Sequence, residues 1–249
     1  VGDIITKVAD NDVQNSTPSV VSNLIKSTNG TTTIEVLRGG VYKTLEINVE
    51  KVSIPSVSSN NFDGVGYIKI TTFSNNTYEQ FKTALSSLEK ENIDSLVIDV
   101  RNNGGGFLNA AVDIAELFIE KGKNVYGLET KEKTEYYKDS TKESRNYKVG
   151  ILMNSASASA SEILSAALKE SYGATLLGLT SYGKGTVQET SELETGGMIK
   201  YTTAYWLTPN GNKINNVGLK PDVEINGDYN DDMDYESDTQ LLTAIKNMK

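Results

Sequence analysis

The chain has 249 residues, and its 24 Lys and Arg against 33 Asp and Glu give a net charge of −9, with no His and no Cys. The missing imidazole and thiol groups exclude Ser-His-Asp and Cys-His catalysis, ordinary zinc sites and disulfides. The acidic balance disfavours a nucleic-acid-binding surface, because binding to phosphates requires clustered Lys and Arg. We therefore expect no metal, no cofactor and no nucleic-acid partner.

The sequence carries no sign of membrane insertion or export. It has no apolar run of the roughly 18 residues that a spanning helix needs, and its start lacks the basic and apolar regions of a secretory signal. The chain opens at Val1 without Met, which indicates a fragment of a longer protein. The absence of a signal therefore says little about location.

Residues 1–54 have the pattern of a small domain. Ile4 to Val8 is predicted as a strand, and Thr17-Pro18 starts a helix with apolar residues at helical spacing. Two alternating strands follow, and Gly39-Gly40 joins them as a hairpin. About 50 residues with so small a core would be only marginally stable alone.

Residues 55–65 are rich in Ser and Asn and are predicted as a linker or a crossing strand between two domains. Beyond them strands and helices alternate, which indicates βαβ units around buried parallel strands. The predicted strands are 66–70, 95–100, 149–153 and 174–179, and the predicted helices are 77–91, 108–119 and 162–172.

Three further segments complete the second part of the chain. Residues 123–147 are charged and rich in Tyr, and we expect an exposed hairpin excursion there. Residues 197–208 return to a strand pattern, and residues 227–249 are predicted as an acidic loop followed by a terminal helix. The acidic loop does not match a calcium-binding EF-hand, because Met233 stands where that loop needs Gly.

Three segments carry chemistry. In the first, three successive glycines, Gly104 to Gly106, follow a predicted buried strand, so the backbone can approach a ligand closely and direct N–H groups at it. The alternative is a tight turn with a flexible tip. Neither a Walker sequence nor a dinucleotide-binding glycine pattern is present.

The second segment, Asn154 to Ile163, alternates Ser and Ala between a predicted strand and a predicted helix. It is either a small-residue loop with a helix cap or a turn that exposes a serine nucleophile to the helix N–H groups. In the third segment Lys184 lies between Gly183 and Gly185. Without His, a serine nucleophile needs another base, and a lysine amine can serve if an apolar enclosure favours its neutral form.

Together these segments resemble the C-terminal processing proteases, or tail-specific proteases, a family of serine peptidases with a Ser-Lys pair. Asp99 to Leu108 is similar to the family's Asp-Leu-Arg-x-Asn-Pro-Gly-Gly-x-Leu, with Gly104 in place of Pro. Ser157 to Ile163 matches Ser-Ala-Ser-Ala-Ser-Glu-Ile, and Gly183 to Gln188 matches the lysine motif. Residues 207–211 and 218–222 match two closing motifs, so five motifs occur in the family order.

The resemblance implies an α/β fold with a ClpP/crotonase-like ββα protease core over residues 66–226. Residues 1–54 resemble the later part of the family's PDZ domain, with its first strand and carboxylate-binding loop missing before Gly2.

Roles carried over from the family fall on five residues. The nucleophile is Ser159, the base is Lys184, and Gln188 orients the lysine amine. The implied oxyanion donors are the backbone N–H groups of Ala160 and Gly105.

The implied activity is that of an endopeptidase that cleaves the C-terminal regions of polypeptides outside the bacterial cytoplasm. The resemblance leaves open a membrane anchor elsewhere in the full-length protein, as well as oligomer formation. Two alternatives remain from the sequence: a peptide-binding scaffold or resting form without turnover, and an acyl-CoA hydratase or isomerase of the crotonase type.

Overall fold

The computed structural model describes residues 2–50, 55–229 and 235–249. The chain divides into two compact units, Val1–Ile54 and Pro55–Lys249. The residues next to the division, 51–54, and residues 230–234 of the predicted acidic loop lie outside the described part. Within that described part, no helix is long and apolar enough to cross a membrane.

The first unit is a four-stranded antiparallel sheet with one helix. Its elements are β1 (Ile4–Val8), β2 (Asn11–Asp12), α1 (Pro18–Lys26), β3 (Gly30–Arg38) and β4 (Val41–Val49). The strand order is β2-β1-β3-β4, and positive φ angles at Gly39 and Gly40 form the predicted hairpin turn. The predicted strands and helix are confirmed here, whereas the assignment to a PDZ domain stays a prediction.

The second unit contains the remaining elements. They are β5 (Val57–Phe62), β6 (Val65–Ile70), α2 (Thr77–Lys90), β7 (Ser95–Asp99), α3 (Leu108–Glu116), β8 (Asn124–Glu129), β9 (Thr134–Lys138), β10 (Lys148–Met153), α4 (Ala160–Ala167), β11 (Thr175–Gly178), β12 (Thr186–Glu192), β13 (Met198–Leu207), β14 (Val223–Glu224) and α5 (Thr239–Met248). Helix α4 continues into a π-helical turn, Leu168–Tyr172, so the helix predicted over 162–172 changes its hydrogen bonding partway.

A six-stranded sheet in the order β14-β11-β10-β7-β6-β5 organises this unit. All neighbours in it are parallel except β5 and β6. Every residue of β6 and β7 is buried, as expected for parallel strands that are covered on both faces. One core contains residues of α2, α3 and α4, and the other contains residues of α5.

Two sequence predictions need correction. Residues 55–65, predicted as a linker or a crossing strand between domains, contain β5, which pairs with β6 as the edge strand of the main sheet and belongs to the second unit. The segment 123–147 does form a hairpin, but β8 also pairs with β13 in a second sheet of order β12-β13-β8-β9. Val125 is fully buried there, so the hairpin is part of the folded core on one side.

Helix α3 ends in a buried carboxylate that forms no ion pair with any described residue. Glu116 is only 7% exposed, and its Oε1 atom has no hydrogen-bond partner in the described part of the chain. Burial raises the pKa of Glu116, and the charges of Asp139 and Asp113 raise it further. A negative charge at a helix C-terminus is also disfavoured by the helix dipole.

We expect Glu116→Gln to raise the free energy of unfolding at neutral pH by about 1 kcal/mol, because it removes a charge that burial penalises. A carboxyl group with a raised pKa in the folded state imposes no cost once it is protonated. The gain should therefore disappear as the pH falls through the raised pKa to below about 4, which urea unfolding across pH measures. The exposed Glu132→Gln is the control; a gain at Glu116 that is independent of pH would contradict this explanation.

Candidate active site

The three segments singled out in the sequence leave the same edge of the main sheet. The glycine-rich segment follows β7, the Ser-Ala segment follows β10, and the lysine segment follows β11. These strands are adjacent and parallel, so their carboxyl ends lie side by side. Loops at this edge are where α/β sheets bind ligands.

The serines of the Ser-Ala segment have different environments. Ser157 Oγ donates to the carbonyl oxygen of Val100 at 2.7 Å, and Ser161 Oγ donates to that of Asn103 at 2.8 Å. Both of these serines are buried and attach the segment to the glycine-rich loop. Ser159 lies between them, is half-buried and borders a cavity. The structure therefore singles out Ser159 as the serine placed to meet a ligand.

The backbone of Ser159 is strained. Its φ of 57° and ψ of −116° lie in a region that residues other than glycine rarely adopt, and helix α4 starts at the next residue. A sharp turn of this kind between a strand and a helix exposes the side chain at its tip, as in the nucleophile elbow of hydrolases. The N–H group of Ser159 donates to Glu162 Oε2 at 2.9 Å, which holds the turn.

The glycine-rich loop packs directly against this turn. A Cβ atom on Gly105 would lie 2.9 Å from Ser159 Cβ and 3.1 Å from the backbone nitrogen of Ala160, and the φ of Gly105 is 102°. Only glycine fits both the conformation and the space. The loop and the start of α4 thus approach each other as the sequence predicted.

The N–H group of Gly105 is not free, contrary to its predicted use as an oxyanion donor. It donates to Asn103 Oδ1 at 2.9 Å, inside the loop. Asn103 is fully buried and also donates to the carbonyl oxygen of Ile70, so this bond belongs to the loop's internal support. The neighbouring Gly106, rather than Gly105, borders the cavity.

The cavity has a volume of about 240 Å³. Its lining residues are Gly106, Leu108, Ser159, Ala160, Ile163, Lys184, Thr186, Val187, Gln188, Lys200 and Trp206. Four of the five predicted site residues are therefore brought together, and Gly105 lies just behind the wall. Several large apolar side chains share the lining with these polar groups.

Lys184 enters this cavity from the third loop but is exposed to solvent. The apolar enclosure that the sequence analysis required is thus absent in this arrangement, because the cavity is open on the lysine side. No hydrogen bond joins Ser159 Oγ to Lys184 Nζ among those of the described residues. Gln188, on β12, is likewise exposed.

The two glycines beside Lys184 have a structural reason. A Cβ atom on Gly183 would lie 2.8 Å from the backbone nitrogen of Gly218, and one on Gly185 would lie 2.5 Å from that of Asn215. The lysine loop is therefore pressed against the 214–218 segment on both sides of Lys184. This packing fixes the path of the backbone that carries the lysine, rather than leaving it mobile.

Glu162 connects the serine turn to the lysine loop. Its carboxylate is 1% exposed; Oε1 accepts from Ser181 Oγ and from the N–H of Gly183, both at 2.6 Å. Oε2 accepts from the N–H groups of Ser159 and Lys184, both at 2.9 Å. In the sequence, Glu162 stands out only as part of the Ser-Ala-Ser-Ala-Ser-Glu-Ile motif, with no role of its own. A charged residue within a run of small residues was the signal that could have identified it.

The glycine-rich loop has its own support below it. Arg101, 2% exposed, donates to both oxygens of Asp99 and of Asp238, the residue before helix α5. The Tyr67 hydroxyl donates to Asp99, and burial together with the Asp99 charge raises the pKa of that hydroxyl. The motif residues Asp99 and Arg101 are thus a buried ion pair at the base of the loop, not ligand-binding groups.

We expect Glu162→Gln to loosen both the serine turn and the lysine loop, because one acceptor oxygen becomes an NH₂ donor that faces backbone N–H groups. The free energy of unfolding should fall by about 3 kcal/mol, since buried donors lose their partner. Amide hydrogen exchange should accelerate at Ser159, Gly183 and Lys184. In the control, Glu170→Gln, exchange should change only near residues 210–212, because Glu170 accepts from the backbone N–H of Asn210 and from the side-chain amide of Asn212. Unchanged exchange at the three amides would refute this role of Glu162.

The strain at Ser159 predicts an order of stability. Ser159→Gly should be more stable than Ser159→Ala by about 1 kcal/mol, because glycine adopts the observed φ and ψ without strain. At Ser86, in the middle of α2, the same pair should show the reverse order, since glycine weakens a helix. Urea unfolding of the four variants measures both differences. A more stable alanine variant at position 159 would contradict the strain.

Comparisons with a family model and with related proteins point to the same family. Residues 64–225 match peptidase family S41. The chain is 40% identical over 251 aligned residues to a "Probable CtpA-like serine protease" of Staphylococcus aureus strain N315, covering 99% of the chain and 49% of that protein. A protein of the same name from Staphylococcus haemolyticus is 37% identical over 90% of the chain and 46% of its own length. The chain thus spans about half the length of these relatives.

The fold agrees with this result. The solved structure of the photosystem II D1 C-terminal processing protease superposes with a TM-score of 0.65 at 28% identity, over 91% of this chain and 64% of that one. The predicted α/β fold and the resemblance to C-terminal processing proteases are confirmed. The chain belongs to peptidase family S41, a family of serine-type peptidases.

Proposed function

We propose that this chain holds the catalytic site of a serine endopeptidase in which Ser159 is the nucleophile and Lys184 is the base. The observation that carries the proposal is the shared cavity: Ser159, Lys184 and Gln188 line it together with the start of α4. The fixed turn at Ser159 and the fixed loop at Lys184 support it, because a nucleophile and a base must be held close to one geometry.

The reaction follows from these positions. The Ser159 hydroxyl oxygen forms a bond to the peptide carbonyl carbon while its proton moves to the neutral Lys184 amine. The protonated amine then gives this proton to the leaving nitrogen as the C–N bond breaks. Water then attacks the acyl carbon of the resulting ester while Lys184 takes a proton from it. Lys184 returns this proton to Ser159 Oγ as the ester C–O bond breaks, which releases the second product and regenerates the free serine. Gln188 orients the lysine amine.

The negative charge on the carbonyl oxygen needs backbone donors. We assign one to the N–H group of Ala160, at the positive end of helix α4, where it borders the cavity. We assign the second to Gly106 instead of Gly105, since Gly105 already donates within its loop. In a complex with a peptide aldehyde, both assigned nitrogens should lie 2.7–3.1 Å from the hemiacetal oxygen.

The substrates that we propose are C-terminal regions of polypeptides. The names of the matched proteins support this: one solved relative is a C-terminal processing protease, and the bacterial relatives are called CtpA-like. We further propose that the protein acts outside the cytoplasm.

Peptidase assays test the catalytic assignment. We expect Ser159→Ala and Lys184→Ala each to lower kcat/KM for an unstructured protein or fluorogenic peptide by a factor of at least about 10³. Gln188→Ala should cost less, because it orients the base without exchanging a proton. Lys138→Ala, on exposed strand β9, is the control and should retain full activity.

A second candidate function is peptide binding without turnover. The missing Ser159–Lys184 hydrogen bond and the exposure of Lys184 favour it. Peptide binding by a wild-type chain that cleaves nothing would support this function. Cleavage that survives both the Ser159 and the Lys184 substitutions would overturn the catalytic assignment.

A further inference from the structure

A second lysine borders the cavity. Lys200 lies on β13 and shares the lining with Ser159, Lys184 and Gln188. The sequence motifs do not include Lys200, and the proposed proton transfer does not require it. Its position in the cavity wall therefore calls for a separate explanation.

The strand register fixes where Lys200 lies. Gln188 on β12 pairs with Thr202 on β13, and Thr190 pairs with Lys200. Residues two apart on a strand share one face, so Lys200 is the diagonal neighbour of Gln188 across the two strands. Such diagonal neighbours are about 7–8 Å apart. The Thr190–Lys200 pair therefore lies two residues further along the strands from the lysine loop than the Gln188–Thr202 pair.

The charge around Lys200 is unusual for this protein. The chain has a net charge of −9, yet the eleven lining residues include two lysines and no Asp or Glu. Glu192 is on the same face of β12, but it does not border the cavity, and no ion pair of Lys200 occurs among the described residues. The proposed mechanism requires Lys184 to be neutral when it acts as the base. Lys200 is then the lysine of the cavity that the proposed proton transfer leaves available to bind an anion.

We propose that Lys200 binds a carboxylate of the substrate, a few residues from the bond that is cleaved. This inference rests on the proposed peptidase function and specifies its substrates. The carboxylate is either an Asp or Glu side chain or the terminal α-carboxylate of a short substrate. Both present the same charged oxygens to the ammonium group.

The expected preference is modest, because Lys200 is exposed. Ion pairs of exposed groups correspond to about a two- to fivefold change in binding or rate. Salt screens such pairs strongly. A preference that depends on charge should therefore weaken at high ionic strength, whereas one that depends on packing should persist.

The experiment compares matched peptides that differ only in charge. Glu is exchanged for Gln at each position beside the cleaved bond, and each peptide is made with a terminal carboxylate or a terminal amide. We expect the wild-type chain to favour the acidic peptide in kcat/KM by about two- to fivefold at low salt. A preference for the Glu peptide over the Gln peptide indicates recognition of a side chain. A preference for the terminal carboxylate over the terminal amide indicates recognition of the C-terminus.

Substitutions show whether the charge preference comes from Lys200 or from another lysine. Lys200→Gln should abolish the preference, and Lys200→Arg should keep it. The control Lys138→Gln lies on β9 of the same sheet, outside the cavity lining, and should behave like the wild type. Equal cleavage of all peptide pairs by the wild type, or an unchanged preference in Lys200→Gln, would overturn the proposal.

The same peptides also test binding without turnover. Fluorescence anisotropy on the Ser159→Ala chain should show tighter binding of the acidic peptides, and Lys200→Gln should remove the difference. Equal affinities would reject the role of Lys200. Absence of cleavage by the wild type with this charge-dependent binding intact would reject the catalytic proposal alone.

Discussion

The arrangement of the serine turn and the lysine loop depends on one buried carboxylate. Glu162 accepts hydrogen bonds from the serine turn through Ser159 and from the lysine loop through Ser181, Gly183 and Lys184. A carboxylate is the side chain suited to this task, because both of its oxygens accept and neither donates. In a buried setting these bonds are strong, and an unpaired donor is costly. The distance between the two backbones therefore depends on a residue that need not take part in the chemistry.

The serine turn is itself strained, and its surroundings hold it in place. The φ of Ser159 is positive, and the loop that packs on it has glycine where a Cβ atom would clash. Hydrogen bonds from Ser157 and Ser161 to the glycine-rich loop fix both sides of the turn. The alternation of Ser and Ala thus has two uses: Ser157 and Ser161 attach the segment, and Ser159 between them is presented to the cavity. Strain of this kind is found where structure is maintained for function.

How far the sequence predicts this structure depends on the kind of interaction. Apolar periodicity predicted the buried strands and their helices, because burial acts over whole elements. It left β5 undecided between a linker and a strand, because this segment is rich in Ser and Asn and its pairing with β6 is not visible in the sequence. The motifs predicted four residues that line the cavity. The hydrogen bonds of Glu162 to the lysine loop and of the Gly105 amide to Asn103 leave no pattern in the sequence. Only the structure identifies them.

Under the proposed mechanism, the exposure of Lys184 assigns a second role to the substrate. The amine must be neutral when it takes the proton, and removal of water favours the neutral form. The cavity has apolar side chains from Leu108, Val187 and Trp206, but it is open on the lysine side. A peptide that lies across the opening would exclude water from Lys184 and place its carbonyl group at Ser159 in one step. The enclosure that the sequence led us to expect within the protein would then be completed by the substrate, so that binding and activation of the base are coupled.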